Sequence, residues 1–152
     1  DDDDDDDDDS STTNNNDNNN ILTSVEEMEW TLDPPSRKNG WYSGSVNRNM
    51  VPHGQGKLQF QNGDVYEGPF EDGQIHGMDG LFVWASGDIY RGGFERNLRH
   101  GHGELRLKQV GKYIGNFEID QQHGYGIHYN MDGTVYHRGQ WECGRPSHRM
   151  VP

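Results

Sequence analysis

Tyrosines fall at Tyr42, Tyr66, Tyr90, Tyr113 and Tyr136, separated by 24, 24, 23 and 23 residues. Self-similarity at a fixed step decides architecture before any local assignment, because each unit has to bury its apolar face against the next. The neighbours of each tyrosine recur with it. Gly44, Gly68, Gly92 and Gly115 stand two places on, and Tyr136 is followed three places on by Gly139. His-Gly pairs occur at His53-Gly54, His76-Gly77, His100-Gly101 and His123-Gly124. A further glycine closes each phrase, at Gly56, Gly103 and Gly126, with Gly80 one residue late.

Inside a unit the pattern alternates with period two. Tyr66, Gly68 and Phe70 share one side of an extended chain, as do Gly56, Leu58 and Phe60, or Gly80, Phe82 and Trp84. Phe94 and Phe117 continue the series. Between these runs stand QNGD and EDGQ, with the Asn-Gly and Asp-Gly dipeptides of tight hairpin turns. No helix fits inside the period. The expected fold is all-β, a single-layer, twisted antiparallel meander of successive β-hairpins.

The phrase YxGxF…HGxG…G at a 23-residue step resembles the MORN repeat (membrane occupation and recognition nexus) from Trp41 to Gly144. Several positions depart from it. Val46 stands where the second aromatic is usual, and an extra residue precedes His53. Val110 replaces the late turn glycine, which slips to Gly111. Ile127, His128 and Tyr129 look out of phase, and the last unit, YHRGQW, is half present. The resemblance implies a non-catalytic interaction or scaffold module that binds protein partners. It also implies two alternatives: a tether on anionic phospholipid, or a regulatory fragment of a larger MORN-containing enzyme.

Glycine in a strand costs roughly 0.5 to 1 kcal/mol relative to alanine, so glycine at a fixed phase answers a steric need. The need inferred here is a groove in which Tyr66 and Phe70 stack along the sheet towards Tyr90 and Phe94, over bare backbone. That arrangement buries an aromatic row without a second layer.

Only 29% of the 152 residues are hydrophobic, against roughly 45 to 50% in ordinary globular chains. Part of the deficit lies in residues 1–20, nine aspartates followed by a Ser/Thr/Asn run, which read as a disordered tail. Residues 21–40 read as a linker, with VEEMEW able to form a turn or two of helix before Pro34-Pro35 stops it. The array spans 41–144, and 145–152 form a C-terminal tail. Ten of the 26 acids belong to residues 1–20, which leaves 16 against 13 Lys and Arg, a balance of −3. Such a body gives no support to nucleic-acid binding. Cys143 stands alone, so no disulfide framework exists, and a reducing, cytoplasmic location is expected, at the membrane periphery if the chain meets lipid. Targeting stays open, because the chain opens on aspartate.

Equivalent side chains of neighbouring units recur about 9.6 Å apart, two strands at about 4.8 Å each, whereas zinc holds nitrogen at about 2.0 to 2.1 Å. One ion therefore cannot be shared by the repeated histidines, and each is expected to hydrogen-bond or pack at the turn before its glycine. No phosphate loop, GxSxG elbow or HExxH occurs, and WECGRPSH around Cys143 has no catalytic signature. No enzyme activity, metal or cofactor is expected.

The remaining signal is charge. Arg91, Arg96, Arg99, Arg106, Lys108 and Lys112 set six bases against Glu95 and Glu104, whereas no Lys or Arg lies between Val65 and Ile89. This polarity is either the solvated side of a one-layer sheet or a docking patch for an acidic protein or anionic phospholipid. A meander also leaves open edge strands, so a homodimer is a further expectation.

Overall fold

The structure, a computed structural model, describes residues 21–33 and 38–147. The tail expected at 1–20, the stop at Pro34-Pro35 and residues 148–152 lie outside the described residues. Turns divide the chain into β1 (Ile21–Thr31), β2 (Asn39–Asn47), β3 (Pro52–Phe60), β4 (Val65–Glu71), β5 (Gln74–Ile75), β6 (Gly77–Val83), β7 (Ile89–Glu95), β8 (Leu98–Leu107), β9 (Gly111–Glu118), β10 (Gln121–Asn130), β11 (Val135–Glu142) and β12 (Arg145–Pro146). Sequence neighbours are sheet neighbours throughout, all antiparallel, with β5 folded back on β4. This is the meander that the alternation predicts, and no helix occurs among the described residues.

The tight turns at one end of the hairpins place both central residues at positive φ: Asp72 and Gly73, Arg96 and Asn97, Ile119 and Asp120, Cys143 and Gly144. That is the twist-matched hairpin turn. Each of these turns also ties to the preceding unit through its backbone. The amides of Gly73, Asn97, Asp120 and Gly144 donate to the carbonyls of Pro52, Ile75, Arg99 and Gln122, at 2.8 to 3.1 Å. At the opposite end the side chains of Asn62, Ser86 and Asp132 accept from the amide two residues on, closing the turn locally. There Asp64 and Asp88 reach forward to the amides of Ala85 and Lys108, both at 2.9 Å or less.

The glycines form one row across the sheet. Gly44 pairs with Gly56 and Gly56 with Gly68, and the row resumes at Gly80, Gly92, Gly103, Gly115, Gly126 and Gly139. A Cβ on Gly103 would stand 2.5 Å from Tyr90 Oη, and one on Gly92 would stand 2.5 Å from the Gly103 Cα. The bare row is therefore what lets the tyrosines lie down. Each hydroxyl then donates to the carbonyl three residues on: Tyr42 to Ser45, Tyr66 to Pro69, Tyr90 to Gly93 and Tyr113 to Asn116.

Between successive tyrosines stands a phenylalanine, edge to face with both. Phe70 lies between Tyr42 and Tyr66, Phe94 between Tyr66 and Tyr90, and Phe117 between Tyr90 and Tyr113, all at centroid distances of 5.0 to 5.3 Å. Trp141 ends the series against Tyr113 at 5.0 Å. Each contact contributes about 0.5 to 1.5 kcal/mol beyond the area it buries. All four tyrosines and all of these partners are buried.

Three expectations are corrected. Residues 21–31 are neither linker nor helix: they form β1, paired along β2 from Ile21↔Asn47 to Thr31↔Asn39. Pairing satisfies backbone groups that a lone turn of helix would leave open, and Val25, Met28 and Trp30 pack on the core. The array also passes residue 144, because Arg145 and Pro146 pair with Glu142 and Trp141. Finally, Tyr136 does not carry the fifth repeat position and is 61% exposed. Gly126 pairs with Gly139 and His128 with His137, so His137 faces the core where the other units have tyrosine. Its Nε2 lies 3.3 Å from Gln140 O, the same i to i+3 reach as each tyrosine hydroxyl. Register follows the glycine, since a slip of one residue sends a side chain to the other face. By the same register His128 stands opposite Tyr113 as Leu58 stands opposite Tyr42, which leaves the apolar Ile127 and Tyr129 on the outer face, out of phase with Leu58 and Phe60.

Gly92→Val forces Tyr90 off the row and is expected to lower the melting temperature by more than about 10 °C, whereas Glu95→Val stays within about 3 °C. Equal shifts in thermal unfolding by circular dichroism would contradict the packing role of the row.

Candidate functional site

The four repeated histidines stand at the tight-turn end, each beside a carboxylate. His76 pairs with Glu71 at 3.3 Å, His100 with Glu95 at 3.5 Å and His123 with Glu118 at 3.3 Å, while His53 lies 3.4 Å from Asp72. The Asp72 and Arg96 amides also approach the Nδ1 atoms of His53 and His76. His53 and His76 thus meet a turn amide, and all four rings stand beside a carboxylate. Among the described residues no group of three or more His, Cys, Asp or Glu is placed to hold a metal ion.

The concave side carries the aromatic ladder and a groove of about 250 Å³. Its walls are Phe60, Phe82, Trp84 and Phe94, with Lys38 and Arg99 at the rim. The end of β1 fills part of it. Trp30 Nε1 donates to Gly73 O at 3.0 Å, and Asn97 Nδ2 donates to Asp33 O at 3.3 Å. Leu32 between them is 2% exposed. Asn97 is itself fixed, because its Oδ1 accepts the Ile75 amide at 2.8 Å. Lys38 Nζ lies 5.4 Å over both Phe60 and Phe82 and bonds Asp64 at 2.9 Å. Burial raises the Asp64 pKa, but the Ala85 amide, Lys38 and Asn62 outweigh it and hold the carboxyl below its usual value. Burial pushes the Tyr42 and Tyr113 hydroxyls up to about 12, so they remain donors at physiological pH.

The six bases expected to share one anionic-surface site are divided among three places. Arg99 turns into the concave side, 5.3 to 5.7 Å over Trp84, Tyr90 and Phe117, and its Nε bonds Asp120 at 3.1 Å. It sits opposite Phe94 just as Ile75 sits opposite Phe70, so the position one repeat earlier is a core position. Arg96 is a turn residue with φ of 47°. Arg91, Arg106 and Lys112 lie on the outer face and Lys108 at the turn after β8. Arg106 bonds Glu104, Lys112 lies 5.2 Å over Tyr129, and the Lys108 amide binds Asp88. Arg106, Lys108 and Lys112 line an outer groove of about 640 Å³ with Ile89, Tyr129 and Met131. Carboxylates therefore stand among these bases, and Val110 and Met131 are exposed on adjacent turns beside them.

Arg99→Ala removes three ring contacts and the Asp120 pair, and is expected to lower the melting temperature by about 5 to 10 °C; Arg91→Ala is expected to change it by less than about 2 °C. Differential scanning calorimetry of both variants checks the division of the basic set.

No helix among the described residues is long and apolar enough to cross a membrane. Alsin of Rattus norvegicus is 28% identical over 134 residues, covering 67% of this chain and 8% of Alsin. Alsin of Homo sapiens and of Mus musculus are each 27% identical over 111 residues, covering 66% of this chain and 7% of their own length. The chain thus spans less than a tenth of the length of these curated relatives. The MORN repeat family model matches residues 42–65, 66–89, 90–108 and 113–135, more than half of the chain. Its four blocks follow the tyrosines of the ladder, breaking off at the turn around Val110, and the chain belongs to the MORN-repeat family.

Proposed function

We propose that this chain is a non-catalytic scaffold module that holds protein partners, laying an extended segment of the partner along the concave aromatic face. The observation behind this reading is that the groove carries such a segment of the chain itself, Trp30 to Asp33. The groups that hold it belong to the turns: the Gly73 carbonyl and the Asn97 amide side chain. Asp120 and Gly144 occupy the same turn position in the next two units, so equivalent sites continue along the array. A rigid, repeated set of backbone and amide groups beside aromatic walls suits recognition of an extended chain by its main-chain groups and alternate side chains. Given how small a part of each Alsin the chain matches, such a module also suits a regulatory segment within a longer protein.

A peptide of the sequence MEWTLD, residues 28 to 33, tests this directly. Added to a Trp30→Ala, Leu32→Ala variant, it is expected to shift the amide resonances of Gly73, Ile75 and Asn97 and to leave the wild type unchanged, because that groove is filled. A variant with an otherwise native spectrum and no such shifts would refute peptide capture on this face.

The second reading, an anionic-phospholipid tether, draws on the outer groove, where exposed Met131 stands with Lys108 and Lys112, and on exposed Val110 in the turn between those two bases. Each base near an anionic membrane contributes about 1 kcal/mol. Cosedimentation with phosphoinositide and neutral vesicles decides it. Binding to anionic vesicles at physiological salt, lost in Lys108→Gln, Lys112→Gln, would put the tether first; no pelleting with either vesicle would remove it.

A further inference from the structure

In the first three units the core-facing pair across the strands joins a tyrosine to an apolar residue: Tyr42↔Leu58, Tyr66↔Phe82 and Tyr90↔Leu105. At the end of the array both members of the equivalent pair have changed. His128 stands opposite Tyr113 on one side and opposite His137 on the other. The two imidazoles continue the aromatic series. His137 meets Trp141 edge to face at 5.3 Å, and His128 lies 5.3 Å from Tyr136 and 6.1 Å from Trp141. We propose that the His128–His137 pair makes the last hairpin a proton-operated clasp: protonation of His128 releases β11 and β12 from β10, while the ladder from Tyr42 to Tyr113 stays folded.

Three features of the structure support this. The first is the surroundings of His128. The titratable and charged groups facing it are Tyr113 from β9 and His137 and Tyr136 from β11, whereas Lys112 and Arg138 belong to the outer face. No ion pair among the described residues includes His128. A charge placed there has rings and a second imidazole as neighbours and, among the described residues, no ion-pair partner. The contrast with His53, His76, His100 and His123, each beside a carboxylate, is direct.

The second feature is position. β11 is fully paired on one side only, to β10, since β12 adds just Trp141↔Pro146 and Glu142↔Arg145. Terminal elements with few partners open locally at far lower free energy than central strands. The third is the direction of the His128 pKa, which burial lowers. Its unfolded value is about 6.5, so its contribution to hairpin stability is complete above about pH 6.5 and is lost as pH falls from there towards the lower folded value. Release leaves the β10 edge free for another strand. None of this depends on which partner the concave face takes.

Hydrogen exchange of the full chain, read by mass spectrometry over peptides covering 131–147, tests the clasp. After correction for intrinsic exchange, protection of 135–142 is expected to fall as pH drops below about 6.5, by up to about tenfold per pH unit for one proton. Peptides within 52–107 are expected to keep their protection. His128→Leu restores the residue type of Leu58 and Leu105 and is expected to abolish the pH dependence; His137→Tyr restores the other half and is expected to weaken it. The same pH dependence in wild type and His128→Leu overturns the proposal, and so does a loss of protection spread evenly over β2 to β9.

Discussion

The contact on which this structure rests is a tyrosine ring lying against a glycine of the neighbouring strand. A one-layer sheet has no opposing layer to bury its side chains, so it has to bury them on itself. The glycine row opens the space, the tyrosine fills it, and the next unit's phenylalanine closes the face of one ring and the edge of the other. Hydroxyl donation to the carbonyl three residues on then satisfies the one polar atom that each tyrosine takes into the core. Removing the glycine would fail differently from removing the tyrosine. The first displaces a ring and the strand beneath it, while the second leaves a cavity along an otherwise intact row.

Because each repeat contacts mainly its neighbours, the array is close to one-dimensional, and its cohesion is a chain of links between adjacent units. The links are of three kinds: the ladder, the turn amides that donate to the preceding unit, and the Asp64 and Asp88 carboxylates that reach the following one. Asp88 is the last of its kind. Val110-Gly111 stands where Gly63-Asp64 and Gly87-Asp88 stood, at the same spacing before the tyrosine, so a glycine takes the place of the carboxylate and the tie from that turn is absent. The step between tyrosines drops from 24 to 23 residues at the other end of the hairpin, where His100 to Gly103 is one residue shorter than His76 to Gly80.

The period, the alternation and the turn dipeptides made the hairpin array legible in the sequence, and the glycine phase made the groove legible. What escaped had specific causes. Tyr136 looked like the fifth signature tyrosine because residue identity was followed where glycine phase governs; counting two back from Gly139 gives His137. Arg99 looked like a surface base because its charge was counted and its register was not; the residue 24 positions earlier is Ile75, 1% exposed. β1 was unreadable for another reason. VEEMEW has little alternation and a register shift between Val25 and Met28, so neither period appears in its sequence. The segment from Trp30 to Asp33 in the groove carries no repeat signal at all, and its place depends on contacts to residues 43 and 64 positions away.

The departures from the repeat carry more functional information than the repeat itself. A position shared by every unit serves packing, and a sheet of identical units would present the same surface everywhere. Arg99 in place of an apolar side chain brings a cation over three rings inside the groove. Asn97, in the place of Gly73, adds the amide that holds Asp33. Val110 puts an apolar tip where the other turns have glycine, and His128 and His137 put imidazoles where the others have leucine and tyrosine. These substitutions fall in the third to fifth units and leave the glycine row untouched. The scaffold therefore tolerates chemistry at its core-facing and turn positions as long as the row stays bare, which is how one repeated phrase can serve unrelated surfaces.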